Sequence, residues 1–369
     1  MPKANETVLE INLTALSDNY QYLKSKVALG TKFMAVVKAY AYGSDAVEIA
    51  KELVELGADY LAVAYVNEGV VLRDAGIKTP IIVLHPQPIN FEILIDRCLE
   101  PNLYNKNILT RFIEVAISKN QTNYPVHLKF NTGLNRLGFG ENEVKYISSE
   151  VTKTNSIIVT SVFSHLAASE DLSERDFSKN QIKTFENITK NLFEKLDYRP
   201  LKHMCNTSGI LNYPEAHFDM VRSGIGLYGF GNSEKENQNL TPIATLKSVI
   251  SQIHHIEKGE SVGYNRAFKS EELLKTATIP IGHADGISRD YGNGKGWVVA
   301  NNQKAYIIGN VCMDMIMINV TKIDCKEGDE VIIFGEQNRA DTLAEENNSI
   351  SYELITAISQ RIKRVFHRI

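Results

Sequence analysis

Strand-like and helical segments alternate over the first two thirds of this chain, and this alternation constrains the fold more than any other feature. Strands that alternate with helices form βα units and a parallel sheet. Eight units of this kind predict an α/β fold with a TIM-type (β/α)8 barrel, and a doubly wound sheet is the alternative. The eight candidate strands lie at residues 33–37, 60–65, 80–85, 101–104, 125–130, 157–163, 203–206 and 220–223.

The pattern changes after a glycine-rich segment at residues 222–239. From residue 242 onward, short alternating runs are broken by Gly, Asn and Asp, which is typical of a β-domain. We therefore predict a barrel domain at 1–235 and a C-terminal mainly-β domain at 236–369, with a first strand, about 7–12, that can pack with the second domain. A last helix is expected at about 351–361, before a basic end.

Composition and charge limit the classes of function. The apolar share is 43%, the charged share is 23% and the net charge is −4, values that fit a soluble enzyme and disfavour nucleic acid or membrane as partner. The N-terminus has no apolar signal region and no apolar run reaches the length of a membrane span, so a cytoplasmic location is expected. The scattered cysteines favour free thiols over disulfides or a metal site; they are Cys98, Cys205, Cys312 and Cys325.

Two strand ends carry cations. Lys38 follows an apolar strand, and in a barrel of this type the carboxyl ends of strands face the active site. A buried lysine near other cations can serve as nucleophile or base, although a solvated lysine that begins a loop is the simpler interpretation. Lys129 and Arg136 lie in a strand and glycine-rich turn at 127–138, which an ordinary structural turn would also explain.

Two further turns have the composition of phosphate sites. Asn206 to Gly209 and Arg222 to Gly226 each follow a candidate strand and contain small residues, whose backbone N–H groups can bind an anion. One such turn is weak evidence. A pair after the last two strands matches the usual phosphate position of this barrel.

Together these segments resemble the alanine racemase family. The blocks VVKAYAYG (36–43), HLKFNTGLNRLGF (127–139), CNTSG (205–209), VRSGIGLYG (221–229), GYNRAF (263–268), IPIGHADG (279–286), GNVCMDM (309–315) and ISYELIT (350–356) occur in the order of the family's blocks. The resemblance covers nearly the whole chain. It implies the barrel plus β-domain fold and a pyridoxal 5'-phosphate (PLP) cofactor.

The resemblance also implies a two-base reaction. Lys38 would hold PLP as a Schiff base and act as one base, and Tyr264 from the partner subunit of a homodimer would act as the other. The reaction interconverts L- and D-alanine through an external aldimine and supplies D-alanine for peptidoglycan. The other implied cofactor contacts are Tyr42, Arg136, His165, Asn206, Ser208, Arg222, Gly224, Ile225 and Tyr352; Arg136 and Met313 would bind substrate, and Lys129 would be carbamylated.

Several positions depart from the family pattern. Ser44-Asp45 replaces the usual His-Gly, Asn131 replaces an aspartate near Lys129, His283 replaces a tyrosine and Asn310 replaces an arginine. His283 and Asn310 lie near the entrance of the family's site, so these two changes put the range of substrates in doubt more than the type of reaction.

Three other functions remain open. A racemase of serine or of a broader amino-acid range would share every block. A decarboxylase on the same plan would pair the ring nitrogen with a carboxylate rather than with Arg222. A non-catalytic cofactor-binding protein would not need Tyr264 or a β-domain.

Overall fold

The computed structural model of the chain describes residues 4–368. Residues 1–3 and 369, which belong to the analysed N-terminus and to the basic end, lie outside the described residues. The strands are β1 (Val8–Asn12), β2 (Lys32–Val36), β3 (Tyr60–Val63), β4 (Ile81–Val83), β5 (Glu100–Leu103), β6 (Tyr124–Lys129), β7 (Ile157–Phe163), β8 (Leu201–His203), β9 (Met220–Ser223), β10 (Ala244–Val249), β11 (Gln252–Ile256), β12 (Ser261–Val262), β13 (Phe268–Lys269), β14 (Leu274–Ile279), β15 (Trp297–Ala300), β16 (Gln303–Ile308), β17 (Ile316–Asn319), β18 (Glu330–Phe334) and β19 (Lys363–His367).

The right-handed helices are mostly amphipathic connections between these strands. A further helical turn, Lys38–Tyr42, contains left-handed residues and is treated with the candidate site. The helices are Leu13–Lys24, Ala46–Glu55, Val66–Asp74, Phe91–Asp96, Lys106–Ser118, Val144–Thr152, Arg175–Phe193, Thr207–Asn212, Glu234–Asn237, Ala340–Glu345 and Ser351–Ala357.

Contacts divide the described chain into two compact units. The barrel unit comprises residues 17–41 and 46–240, and the β unit comprises residues up to 16, 42–45 and 241 onward. The short segment 42–45 therefore belongs to the β unit, although only residues 37–41 separate it from barrel strand β2.

The barrel unit contains a closed ring of eight parallel strands, β2 to β9. The ring closes because β9 pairs in parallel with β2, where Lys32 lies opposite Met220 and Ala35 opposite Ser223. The TIM-type barrel is thus confirmed, and the doubly wound alternative is wrong. Closure places the carboxyl ends of all eight strands, and the loops that follow them, at one rim.

The side chains inside the barrel differ in polarity from one group of strands to another. Strands β2 to β4 contribute an apolar cluster in which Met34, Ala62 and Ile82 are completely buried. Strands β6 to β8 instead contribute buried polar side chains, among them His127, Ser161 and His203. Buried polar groups require partners, and those partners are described below.

The β unit is built on a nine-stranded sheet. Its strand order is β11-β14-β17-β16-β15-β18-β10-β1-β19, and β12 and β13 form a separate pair. The predicted mainly-β second domain is thus confirmed as a fold class. β1 pairs antiparallel with β10 and parallel with β19.

The prediction of a last helix at about 351–361 was wrong about where the helix ends. The helix stops at Ala357, and the basic segment that follows forms strand β19. Exposure alternates along this strand, and β1 provides its pairing partner. The helix ends because Ile358 is extended, with ψ of 114°, and the N–H of Ser359 donates to the Asp285 carbonyl.

Within residues 4–368, none of the helices has the length and apolar character needed to cross a membrane. In the same residues no group of three or more His, Cys, Asp or Glu side chains is placed to hold a metal ion.

Candidate active site

Lys38 lies at the carboxyl end of β2, at the rim of the barrel, and is half-buried. Burial lowers the pKa of its amine, the charge of Arg136 lowers it further, and Glu68 partly opposes both. A lysine with a lowered pKa has a larger fraction of the neutral amine that nucleophilic attack requires. These surroundings favour a reactive amine over the solvated lysine that the sequence left open.

Glu68 fixes the loops around Lys38. One carboxylate oxygen accepts from the backbone N–H of Ala39 at 2.6 Å, and the other accepts from Ala64 at 2.6 Å and Tyr65 at 3.0 Å. The carboxylate thus joins the chain after β2 to the chain after β3. Because it satisfies three backbone donors, it orients the turn that begins at Lys38.

The turn after Lys38 is left-handed. Four successive residues, Ala39 to Tyr42, have φ between 50° and 55°, and none of them is glycine. Left-handed backbone costs an L-residue about 1–2 kcal/mol, so packing must hold this conformation. Ala41 is completely buried and donates its N–H to the Val37 carbonyl.

Arg222, at the end of β9, is buried and makes its contacts without any ion pair among the described residues. Its Nη1 donates to Nδ1 of His203 at 2.5 Å. Its Nη2 contacts the Ser164 carbonyl at 2.8 Å, Nδ1 of His165 at 3.0 Å and the Met204 carbonyl at 3.1 Å. Within residues 4–368 its Nε–H forms no hydrogen bond, so this donor of a fixed guanidinium remains for a ligand.

His165 is neutral because of this arginine. A guanidinium can only donate, so Nδ1 of His165 must accept and the ring proton must sit on Nε2. Burial, together with the charges of Arg222 and Lys129, holds the pKa of His165 well below its ordinary value. His165 therefore offers an Nε2–H donor to any group that faces it.

Lys129 completes a cluster of cations at the rim. It ends β6, is 7% exposed, and its Nζ lies 5.8 Å from the centre of the Phe163 ring. Burial lowers its pKa to about 8, and the charges of Arg136, Arg222 and Lys38 act in the same direction. In the described residues no carboxylate forms an ion pair with Lys38, Lys129 or Arg136. Such a cluster suits a ligand that carries negative charge.

The loop that carries Arg136 is closed by Asn131. The Asn131 side-chain oxygen accepts from the N–H groups of Gly133 and Asn135, and its amide donates to the Asn135 side chain. Gly138 has φ of 133° and lies so close to Asn131 and Phe130 that a Cβ would overlap their backbone. Asn131 therefore organises this loop.

The two predicted phosphate turns lie after β8 and β9. Asn206 caps the short helix that follows it by accepting from the N–H of Gly209 at 2.9 Å. The Ser208 hydroxyl donates to the buried carboxylate of Glu236 at 2.9 Å, so it can reach a phosphate only by turning away from that carboxylate. Residues 224–225 begin a buried 3₁₀ turn directly after β9.

Tyr42 and Tyr352 lie together within the β unit. Their ring centres are 6.0 Å apart, and burial, with a smaller contribution from Tyr352, raises the pKa of Tyr42. The carbonyl of the next residue, Gly43, accepts from Nε and Nη2 of Arg364 at 3.0 Å and 2.8 Å. Arg364 thereby anchors the end of the left-handed turn.

Tyr264 is 74% exposed and lies in a 3₁₀ turn of the β unit. Asn265 and Arg266 of that turn have positive φ, 59° and 51°. The amide of Asn310 donates to the Tyr264 carbonyl at 3.2 Å and also contacts Asn293. Asn310, one of the departures noted in the sequence, thus supports the backbone of Tyr264.

Met313 is also exposed, at 59%, and its carbonyl accepts from Ala284 at 2.9 Å. The N–H of His283 donates to the Cys312 carbonyl. A Cβ at Gly282 would overlap the carbonyls of Cys312 and Met313. In residues 4–368 the N–H of Met313 forms no hydrogen bond and is left for a ligand.

The barrel unit brings together five of the predicted residues at its rim, namely Lys38, Lys129, Arg136, His165 and Arg222. The β unit holds Tyr42 beside Tyr352 and presents Tyr264 and Met313 at its surface. Sequence reasoning missed Glu68, His203, Glu236 and Arg364, which orient other residues through side-chain contacts. Glu68 and Glu236, each an acid in the first turn of a helix, carried a local signal.

Family models match both parts of the chain. The alanine racemase N-terminal domain matches residues 11–231, and the alanine racemase C-terminal domain matches residues 243–366. The chain belongs to the alanine racemase family. The predicted family, and with it the predicted isomerase class, is confirmed.

Individual relatives agree over nearly the full length. The alanine racemase of Clostridium perfringens (strain SM101 / Type A) is 37% identical, over 97% of this chain and 95% of that protein. A solved alanine racemase from Clostridium difficile 630 is 34% identical, has a TM-score of 0.91 and covers 100% of this chain and 97% of its own. The alanine racemase of Bartonella henselae, solved with covalently bound pyridoxal phosphate, is 28% identical, with a TM-score of 0.89 and coverage of 99% and 100%.

Proposed function

We propose that this protein is a PLP-dependent alanine racemase that works by a two-base reaction in a homodimer and supplies D-alanine for peptidoglycan. The observation that carries the proposal is the barrel rim, where Lys38 has a lowered pKa and Arg222 keeps a free Nε–H. The solved relative with covalently bound PLP supports the cofactor.

The donors at the rim fit PLP. The group has a phosphate and a phenolic oxygen, which suit the cations Lys129 and Arg136, and a pyridine nitrogen, which suits the unused Nε–H of Arg222. Lys38 would attach the group covalently, and when bound the cofactor acts as an electron sink for the carbon beside the amino group. The remaining proposed contacts are Tyr42, His165, Asn206, Ser208, Gly224, Ile225 and Tyr352.

Arg222 determines how strong that sink is. A guanidinium whose pKa burial lowers only to about 10 still holds its proton at pH 7, and it does not give a proton to a ring nitrogen. The described contacts of Arg222 contain no carboxylate, whereas a decarboxylase of this plan would place one at the nitrogen. The structure therefore favours the racemase over the decarboxylase.

Racemisation needs one base on each face of the reacting carbon. Lys38 is proposed to hold or release the proton on one face, and Tyr264 from the second subunit on the other. Two bases on opposite faces can exchange the proton without turning the substrate. The Nε2–H of His165 is the donor proposed to orient the Tyr264 oxygen.

The surface around Tyr264 supports the dimer. Tyr264, Met313 and Met315 are 74%, 59% and 48% exposed within the chain and line one cleft together with Cys312 and Met317. Exposed apolar side chains grouped in this way mark association surfaces. A second copy of this chain is the proposed occupant, and it would bring Tyr264 to the barrel rim of its neighbour.

Substrate binding is proposed for Arg136 and for the free N–H of Met313, both toward the carboxylate of alanine. A broader substrate range is the second candidate, because Asn310 replaces the family's arginine while it supports the Tyr264 backbone. Steady-state assays with L-alanine and L-serine separate the two. A higher kcat/KM for serine would contradict alanine as the main substrate.

Lys129 is proposed to react with CO₂ to form a carbamate. The lowered pKa favours the neutral amine that this reaction needs, and the product would turn a fourth cation of the rim into an anion beside Arg136. Intact-protein mass measured in bicarbonate, or a structure showing a free amine, tests it. The cytoplasmic location stays a prediction.

The decisive experiment is a visible absorbance spectrum of the purified protein with PLP, followed by borohydride reduction and peptide mapping. Reduction should fix the cofactor to the peptide that contains Lys38, and the protein should interconvert the alanine enantiomers. Label on another lysine would contradict the assignment. Binding of PLP without racemisation would support a non-catalytic cofactor protein instead.

A further inference from the structure

Five side chains inside the barrel are hydrogen-bonded in series, from Arg222 at the rim to Glu100 at the start of β5. Nη1 of Arg222 lies 2.5 Å from Nδ1 of His203, and Nε2 of His203 lies 2.9 Å from Oγ of Ser161. That hydroxyl lies 2.6 Å from Nδ1 of His127, whose Nε2 lies 2.7 Å from a carboxylate oxygen of Glu100. We call this series the barrel relay.

The barrel relay is almost entirely buried. Its three middle members are completely buried, Arg222 is 6% exposed and Glu100 is 9% exposed. The ring of Phe163 stacks on His203 at 4.7 Å, and the ring of Tyr60 meets His127 edge-on at 6.1 Å. Inside an apolar surrounding, an unsatisfied member of such a series is costly.

Strand register assembles the series. The pairing of β6 with β7 shifts between Val126 and His127, and after the shift His127 lies opposite Ser161. Without that shift, the histidine would lie opposite another residue of β7. A bulge of this kind is a common way to redirect one side chain of a strand.

The two ends of the barrel relay fix the direction of every proton in it. Arginine can only donate, so Nδ1 of His203 accepts and its proton lies on Nε2. That proton is donated to Ser161, whose own proton goes to Nδ1 of His127. His127 then donates from Nε2 to Glu100, and an ionised carboxylate can only accept. Each bond therefore points from Arg222 toward Glu100.

We propose that Glu100 is a positioning residue for Arg222, acting through the barrel relay by fixing which nitrogen of His127 carries the proton and thereby the direction of the Ser161 hydroxyl that holds His203. The inference rests on the proposed function, in which the free Nε–H of Arg222 receives the cofactor's ring nitrogen. His203 is the acceptor for Nη1. If the His203 ring shifted away from Nη1, the guanidinium plane that carries Nε–H would turn.

Loss of the carboxylate would disturb that arrangement. In Glu100→Leu the Nε2–H of His127 has no acceptor, so the ring gains by moving its proton to Nδ1 and donating to Ser161. The Ser161 hydroxyl would then accept from both rings and its own proton would lose its acceptor, so the contact that holds the His203 ring in place would loosen. Glu100→Gln keeps an acceptor oxygen at the same place, and the original direction should persist.

Side-chain ¹⁵N NMR of histidine-labelled holoenzyme reads the proton positions directly. His127 and His203, assigned by single substitutions of each, should both carry their proton on Nε2 in the native protein and in Glu100→Gln. In Glu100→Leu a substantial population of His127 with the proton on Nδ1 should appear, while His203 keeps its proton on Nε2. Native protein with an Nδ1 proton on either ring overturns the proposal, and this result needs no variant to fold.

Activity supplies the second readout. Glu100→Leu should lower kcat by about tenfold or more with little change in KM, because one charged hydrogen bond of Arg222 is disturbed. The ratio of transamination to racemisation should rise by a similar factor, since the ring nitrogen becomes easier to protonate. Glu100→Gln should restore both values to near the native level.

A double-variant cycle tests whether the effect passes through the barrel relay. Ser161→Ala removes the central hydroxyl and disconnects Glu100 from His203, so the transamination ratio should not change further when Glu100→Leu is added to it. Equal effects in both backgrounds would overturn the proposal. The control is Thr189→Val, which removes a buried hydroxyl in the helix Arg175–Phe193; it should alter neither the proton positions nor the ratio.

Different results would contradict the proposed function and the proposed role of the barrel relay. Native protein that racemises no alanine contradicts the function, whatever the histidine protons show. Native protein that racemises alanine, together with a Glu100→Leu variant of unchanged ratio and unchanged proton positions, contradicts the relay alone.

Discussion

Lys38 and Tyr264 are proposed to do the same work on opposite faces of one carbon, yet their surroundings differ in almost every respect. Lys38 lies at the rim of a closed barrel, among cations and beside a carboxylate that holds its turn. Tyr264 is 74% exposed on a short turn of the β unit. The surroundings of Lys38 are complete within one chain, whereas in the proposed dimer Tyr264 would acquire its surroundings from a second chain.

Replacement of Lys38 should have the largest effect. Lys38→Ala removes the group that we propose attaches the cofactor, so racemisation should fall by more than about 10³-fold and borohydride should label no peptide. Lys32→Ala is the control, because Lys32 begins the same strand and pairs with Asp59 at the other end of the barrel. A native spectrum in Lys38→Ala would contradict the proposed role.

Replacement of Tyr264 should impair proton transfer on only one face of the substrate carbon. Tyr264→Phe keeps the ring but removes the hydroxyl, so proton transfer on the L-side should fall by about 10²- to 10⁴-fold. Incorporation of solvent deuterium, followed separately from L- and from D-alanine, measures the two sides.

Tyr306, which is 46% exposed on the same unit, offers the matched control as Tyr306→Phe. This variant should behave like the native enzyme. Equal losses in both directions for Tyr264→Phe would show that the tyrosine is not specific to one face.

Replacement of Lys129 tests whether repulsion among the cations of the rim destabilises the folded protein. Its pKa is lowered from 10.5 to about 8, so between these values the unfolded chain binds more protons and the free energy of unfolding should rise with pH. At pH 7 the charged amine costs the folded protein up to about 3 kcal/mol, at 1.36 kcal/mol per pKa unit. In CO₂-free buffer, Lys129→Met should therefore raise the free energy of unfolding at pH 7 and do so much less at pH 10.

Bicarbonate should reverse that result. A carbamate at Lys129 would be an anion beside Arg136, so Lys129→Met should then destabilise the protein. Urea denaturation of both proteins, with and without bicarbonate, gives the comparison. The same sign in both buffers would contradict the carbamate, and a native stability that does not change with pH would contradict the lowered pKa.

Asn131 should show the smallest effect. Asn131→Asp restores the family's usual residue and keeps the oxygen that accepts from Gly133 and Asn135, while only the donor to the Asn135 side chain is lost. The free energy of unfolding should change by less than about 1 kcal/mol. Asn131→Ala, which loses all three bonds, should cost more, and equal effects would show that Asn131 does not organise the loop.

The barrel could be predicted from the sequence because its strands are short apolar runs with a regular separation. The end of the chain could not, because the strand Lys363–His367 exists only through its pairing with β1. Local periodicity reports amphipathic character, but it does not report which distant segment will provide the pairing partner.

The residues of the candidate site also divide into those that the sequence could predict and those that it could not. Lys38 and Arg222 follow strands directly, so topology alone places them at the rim. His203 acts through contacts with residues that are distant in the chain. No local pattern distinguishes it from an ordinary buried polar residue, and only the folded chain shows what it holds.

The left-handed turn from Ala39 to Tyr42 has a consequence for protein engineering. A sequence optimised for stability alone would place glycine or asparagine at these positions, since both tolerate positive φ at lower cost. Here Ala39→Gly should be one of the rare glycine substitutions that stabilise a fold. A thermostabilising redesign of this protein should accordingly be scored on cofactor binding as well as melting temperature, because the most favourable backbone at residue 39 need not aim Lys38 correctly.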